Sequence, residues 1–261
     1  MLIKKPLFRV LPAKIFLLLA ACLVNYPAFA SGEIEPPHQE WSHRALTGTY
    51  DRAALQRGFQ VYKEVCSACH SMKLLSYRNL EAIGFTPAEV KAIAAQYEVS
   101  DGPNDEGEMF NRPAVPSDRF KSPFANEKAA RAANNGAYPK DLSLIVSARK
   151  HGEDYLYGLL TGYVEPPADM KMNDGMHYNK YFNGHQIAMS APLNAGAVQF
   201  ADGTENSVPQ MARDVTQFLA WASDPKLEDR KRIGLQAMIF LSIFSVLMYL
   251  VKKKIWSKLD H

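Results

Sequence analysis

The five residues Cys66-Ser67-Ala68-Cys69-His70 constrain this chain more than any other stretch of it. Two thiols at this spacing, with an imidazole immediately after, suit covalent attachment of one vinyl-bearing porphyrin, the imidazole reaching its iron. A chain built round a large flat cofactor needs irregular segments to wrap it. A redox dithiol or half of a zinc site would use the same pair of thiols. The zinc site needs a second ligand pair, and Cys22 is the one cysteine left over. A thioredoxin-like motif needs no following histidine and sits in a strand–helix–strand context. Here Leu55, Phe59, Tyr62 and Cys66 recur on one helical face that runs straight into the motif. The reading is one covalently attached haem c per chain, on Cys66 and Cys69, with His70 on the iron.

Two apolar segments set the organisation. Residues 1–30 read as a signal peptide: Lys4, Lys5, Arg9 and Lys14, then apolar Ile15 to Val24, then Ala28-Phe29-Ala30 at the cleavage position. Leu19-Ala20-Ala21-Cys22 also resembles a lipoprotein box, so lipidation of Cys22 stays open. The second segment, 233–251, has 19 residues, none of them charged. As a helix it would rise ~28 Å, close to the hydrocarbon thickness of a bilayer. Basic triplets flank it, Arg230-Lys231-Arg232 and Lys252-Lys253-Lys254, which argues for a transmembrane helix over a buried core helix. The expected order is an exported domain over 31–225, a basic juxtamembrane linker over 226–232, the span over 233–251 and a tail over 252–261. With an export signal in front, the domain lies outside and the C-terminus in the cytoplasm. The net charge of +3 conceals −6 over 31–225, against +4 and +5 at the two ends. An acidic outer domain makes nucleic acid an unsuitable partner and favours a basic protein.

The outer domain reads as mainly α. Residues 31–50 look extended. Asp51 is a good N-cap for the helix leading to the cysteines. Thr86-Pro87-Ala88-Glu89 is a capping box that predicts a helix to about Tyr97. Residues 101–123 read as loop. Short helices are predicted near 126–134, 142–150 and 153–161, and 163–206 as mostly irregular. Ser207-Val208-Pro209-Gln210 predicts another capping box, opening a helix with Met211, Val215, Phe218, Leu219 and Ala222 on one face and Asp224-Pro225 at its end. A methionine sulfur as sixth iron ligand would close the site, as in electron carriers. Met72 is too near the motif and Met211 is on an apolar face. Met109, Met170, Met172 and Met176 sit in polar loops. Met189, in Ile187-Ala188-Met189-Ser190-Ala191-Pro192, is the leading candidate by position.

Arg57 through Met72 resembles the cytochrome c1 family, the haem-bearing subunits of the cytochrome bc1 complex. So do Ala132-Ala133-Asn134-Asn135-Gly136-Ala137, Asp141-Leu142-Ser143, Gly152-Glu153-Asp154-Tyr155, Leu159-Leu160-Thr161-Gly162-Tyr163, Ile187-Ala188-Met189 with Pro192, and Arg230-Lys231-Arg232. The resemblance implies a class I cytochrome c-like haem domain with loop insertions plus one C-terminal transmembrane helix. It implies Gly58 and Tyr62 of the first helix crossing Phe218 and Trp221 of the last, and His70 and Met189 as axial iron ligands. It implies Arg149 and Tyr155 beside the haem propionates, although Arg149 by itself reads as a solvated helix end. Lys140 departs from the family, standing where a second proline often follows Pro139.

As family function, the resemblance implies acceptance of an electron from the Rieske iron–sulfur subunit and its delivery to a soluble or tethered c-type cytochrome, in a membrane complex with cytochrome b. The setting would be a bacterial inner membrane, with the haem domain in the periplasm. No substrate bond would be made or broken in this chain, so whether it counts as an enzyme by itself stays open. The acidic loop Asp101, Asp105, Glu106 and Glu108 is expected to attract a basic carrier. A free-standing membrane-anchored electron carrier, or a haem protein reactive toward gases or peroxide, are the alternative readings.

Overall fold

The computed structural model describes residues 34–257. The expected signal peptide, Cys22 and residues 258–261 lie outside them. From Glu35 onward the described chain forms one compact unit, mainly helical.

Helix α1, Arg52–Glu64, starts where the Asp51 carboxylate accepts from the backbone N–H groups of Ala53 (3.0 Å) and Ala54 (3.3 Å). It crosses a later helix, Val208–Ser223, at Gly58. A Cβ there would stand 2.1 Å from the Asp214 carbonyl oxygen and 2.7 Å from Phe218 Cβ. The two helices therefore meet backbone to backbone, which a hydrogen side chain alone permits. Around the crossing, Phe59 and Tyr62 pack on Phe218 at ring distances of 5.7 and 5.8 Å. Beside it Arg57 grips buried Asp214 through two nitrogens, at 2.7 and 3.1 Å, and reaches Asp202 at 2.8 Å. Met211, Val215, Phe218, Leu219 and Ala222 are all buried, as the periodicity predicts.

Between these helices the chain is mostly short elements. A 3-10 helix, Tyr77–Ile83, is one that no sequence signal announced. Helix α2, Pro87–Ala94, carries the predicted capping box: Thr86 N–H donates to Glu89 at 2.7 Å and Glu89 N–H to the Thr86 hydroxyl at 3.3 Å. It stops before Tyr97 because the chain turns into a hairpin, β1 (Glu98–Asp101) against β2 (Phe110–Pro113). Helices α3 (Glu127–Ala133) and α4 (Gly152–Thr161) lie where short helices are predicted. A third, over 142–150, is absent; successive turns replace it. Asp141 Oδ1 accepts from Ser143 N–H at 2.9 Å and Ser143 Oγ from Leu74 N–H at 3.0 Å, so side chains compete with the helical ladder. The stretch 163–206 is irregular apart from β3 (His177–Tyr178) and β4 (Gln186–Ile187). Helix α5, Val208–Ser223, begins at Ser207, but the predicted reciprocal cap does not form. Gln210 turns to Asp214 instead, at 3.0 Å.

The N-terminal segment is clamped onto the start of α4. Trp41 Nε1–H donates to Asp154 at 2.6 Å, His43 Nε2 lies 2.8 Å from Glu153, and Arg44 donates to Glu153 at 2.6 Å. Burial disfavours the Glu153 carboxylate, but hydrogen bonds from His43 and Arg44 outweigh it and bring the carboxyl down to about 2. A depressed carboxyl stabilises the fold above its unfolded value of 4.5, and that contribution disappears as pH falls toward 2. Glu153→Gln is expected to remove on the order of 3 kcal/mol at neutral pH. In denaturant titrations between pH 5 and pH 2 it should also flatten the acid decline seen in the parent.

Helix α6, Leu227–Trp256, is continuous, so the segment expected as a linker is helical from Leu227 onward. It is long and apolar enough to cross a membrane, and none of its apolar window is buried against the described chain. Its first turns are built into the domain. Glu228 accepts from Tyr50 N–H at 2.7 Å and from Arg52 at 2.6 Å. Arg230 pairs with Asp224 at 2.6 Å. The Lys231 ammonium donates to the carbonyls of His43, Ala45 and Gly48 at 2.5, 2.6 and 3.3 Å. A Cβ at Gly48 would stand 2.2 Å from the Ser42 carbonyl, so this tight loop needs its glycine.

Candidate haem site

The cysteine motif folds as one turn of 3-10 helix, Cys66–Ala68, directly after α1. The N–H groups of Cys69 and His70 both donate to the Cys66 carbonyl, at 3.1 and 2.9 Å, and Ser67 Oγ donates back to Lys63 O at 2.7 Å. This turn holds two thiols and an imidazole in one short arc. The thiols are free, Cys66 half-buried and Cys69 exposed. Burial pushes the Cys66 thiol up to about 12. Among the described residues no three His, Cys, Asp or Glu side chains group as a metal site.

His70 has one usable face. Its Nδ1 lies 2.7 Å from the Lys140 carbonyl oxygen, which can only accept, so Nδ1 carries the proton and Nε2 keeps its lone pair. Burial lowers its pKa, against the opposing pull of that carbonyl and of Asp141, which favours the neutral ring. A neutral, single-tautomer imidazole is what iron ligation requires. Because the Lys140 contact is made by backbone, the departure from proline leaves it intact. Asp141 fastens this wall. Its Oδ2 accepts from Ser71 Oγ at 2.7 Å and from Lys73 N–H at 2.9 Å. Burial works against its ionisation, but hydrogen bonds from Ser143, Lys73 and Ser71 hold the carboxyl below its ordinary range.

Two of the other predicted residues, Arg149 and Tyr155, lie just before α4 and in its first turn. The Arg149 guanidinium donates to the Ala148 carbonyl at 3.0 Å, and the Tyr155 hydroxyl is raised by burial and pulled the opposite way by that guanidinium. Tyr163 is raised by burial and by neighbouring Tyr155. Tyr163 OH donates to the Met189 carbonyl at 3.1 Å, which fixes the backbone from which the half-buried Met189 side chain projects. Met211 is fully buried in the core, as its apolar helix face predicts; Met72 is fully buried too, and Met109 is 63% exposed. Sequence reasoning gave no role to Tyr163 or Asp141. Asp-x-Ser at 141–143 is a recognisable side-chain-to-backbone turn signal; nothing local marks Tyr163.

The donors on this turn fit a haem by type: an imidazole whose Nδ1 is engaged by a carbonyl, and two thiols beside it in the chain. Cys66, Cys69, His70 and Met189 would hold it, and the group would supply a one-electron iron couple.

Comparison with known proteins accords with this chemistry. The model of the "Cytochrome C1 family" matches residues 41–259. "Cytochrome c1-2, heme protein, mitochondrial" of Solanum tuberosum is 49% identical over 242 residues, covering 91% of this chain and 93% of that protein. "Cytochrome b-c1 complex catalytic subunit, mitochondrial" of Candida albicans is 47% identical over 229 residues, covering 87% of this chain and 80% of that protein. "Cytochrome c1" of Rhodospirillum rubrum is 42% identical over 246 residues, covering 88% and 90%. With a family match running from Trp41 through the last described residue, the chain belongs to the cytochrome c1 family.

Proposed function

We propose that this chain is the electron-transfer subunit of a ubiquinol–cytochrome c reductase. It takes one electron at a time from a Rieske iron–sulfur protein and passes it to a soluble or tethered c-type cytochrome, beside cytochrome b in one membrane complex. One haem c is bonded through Cys66 and Cys69, with His70 and Met189 as axial ligands and Arg149 and Tyr155 toward the propionates. The observation that carries the reading is the position of His70, directly after the two thiols with its Nδ1 held 2.7 Å from the Lys140 carbonyl oxygen. The Candida albicans relative, named as a subunit of a cytochrome b-c1 complex, supports the assignment to a complex. The chain's own residues orient the imidazole and hold the Met189 backbone, which supports the reading. After removal of the signal peptide, α6 anchors the protein in a bacterial inner membrane, the haem domain in the periplasm and the C-terminus in the cytoplasm.

The test is purification from membranes in mild detergent, followed by haem staining of the denatured chain and identification of the co-purifying subunits. A haem that stays with the denatured polypeptide, together with a b-type cytochrome and an iron–sulfur protein, is the expected outcome. A colourless chain, or pigment extracted by acidified acetone, overturns covalent attachment. A haem chain that purifies alone overturns the complex.

A further inference from the structure

Two asparagines of this chain are followed by glycine, Asn135 and Asn183. In such a pair the glycine nitrogen can approach the asparagine side-chain carbonyl carbon, because no Cβ stands in its way. Both pairs lie at the surface. Both glycines have a positive φ, 85° at Gly136 and 78° at Gly184. A Cβ at either would meet nothing within 4 Å, so packing screens neither. What differs is how the reacting nitrogen is engaged.

Gly136 is held from both sides. Its N–H donates to the Arg131 carbonyl at 2.8 Å, and its own carbonyl accepts from the Arg131 guanidinium at 2.9 Å. That guanidinium is fixed in turn by Glu127, at 2.7 and 2.9 Å. A nitrogen whose hydrogen is spent on a carbonyl must leave that bond before it can attack.

Gly184 has no such hold. Neither its N–H nor the Asn183 side-chain amide has a hydrogen-bond partner among the described residues. The two are the central residues of a turn that the His185 N–H closes on the Phe182 carbonyl at 2.8 Å. Behind the turn the chain is pinned: Asn179 N–H donates to the His185 carbonyl at 2.9 Å, and the Tyr178 and His185 rings stack at 5.5 Å. The corner is kept in place while its reacting atoms stay unengaged.

We propose that Asn183 is a site of spontaneous covalent modification, losing its side-chain amide while Asn135 is spared. The Gly184 nitrogen gives up its proton to solvent and bonds to the Asn183 side-chain carbonyl carbon. The side-chain carbon–nitrogen bond breaks and ammonia leaves, closing a five-membered imide on the main chain. Water then opens the imide at either carbonyl, giving aspartate or its β-linked isomer. One water is consumed and one ammonia released, with nothing oxidised or reduced. Both products carry a negative charge on the corner. The β-linked one also adds a carbon to the main chain, six residues before Met189.

The test is ageing of the purified, full-length protein in detergent at mildly alkaline pH. Peptides are followed by mass spectrometry, and the β-linked product is counted with isoaspartyl methyltransferase and a labelled methyl donor. Conversion of amide to acid is expected to be at least about tenfold faster at Asn183 than at Asn135. In urea-unfolded protein the two rates should converge, since neither glycine nitrogen is then engaged. Asn183→Gln, whose longer side chain closes the imide poorly, should remove most of the methyl label. An Asn183 that stays intact in the folded protein, an Asn135 that converts as fast, a difference that survives unfolding, or undiminished label in Asn183→Gln would each overturn the proposal.

Discussion

Met189→Leu should turn a closed iron site into one that binds carbon monoxide. A thioether holds the sixth position of a haem iron and raises its potential; leucine has no donor atom and nearly the same bulk. Because Tyr163 OH anchors the Met189 backbone at 3.1 Å, the loop should stay in place and leave a gap at the metal rather than collapse. The reduced variant is expected to take up carbon monoxide stoichiometrically, with a shifted Soret band, and its midpoint potential should fall. A spectrum indifferent to carbon monoxide, with an unchanged potential, would assign the sixth position to another residue. A companion variant, Tyr163→Phe, keeps the thioether and removes the anchor. It should show partial carbon monoxide binding, which separates loss of the donor from loss of its positioning.

The largest effect on folding is expected from one methyl group. Gly58→Ala places a carbon 2.1 Å from the Asp214 carbonyl oxygen and 2.7 Å from Phe218 Cβ. Neither neighbour is the tip of a flexible side chain, so α1 and α5 must separate. Overpacking of a core typically costs 1–3 kcal/mol, and contact with main chain puts this case at or above about 3 kcal/mol. For a domain of this size that corresponds to a fall in Tm of roughly 6–12 °C. Separation would also strain the two-nitrogen grip of Arg57 on buried Asp214. Calorimetry of the parent and variant decides the matter, and an unchanged Tm would mean that the helices do not cross at this glycine.

What could be read from the sequence was whatever local chemistry specifies. Asp51, Thr86 with Glu89, and the period of Leu55, Phe59 and Tyr62 act within one or two helical turns, and the structure has those helices. The same local logic failed where longer-range partners intervened. Gln210 is drawn to Asp214 rather than back to the helix start, and Ser143 is engaged by Leu74 N–H, which breaks up the helix predicted over 142–150. In the site, the thiols and His70 form a contiguous motif and could be read directly. Arg149 alone resembled a solvated helix end, because its partner Tyr155 lies across the turn that opens α4. Tyr163 stood in a block that resembles the family but had no role assigned, since its importance is a contact with residue 189, far along an irregular stretch.

The ammonium of Lys231 has a further consequence. All three of its protons point at carbonyls of the loop 43–48, and Glu228 and Arg230 bind the same body of the domain, so no swivel separates it from its anchor. On the proposed assignment, a haem in this domain would keep a fixed distance from its anchor helix. Electron tunnelling needs close approach, and a rigid mast cannot lean toward either its source or its sink. On that assignment, any approach to donor or acceptor falls to the partner proteins.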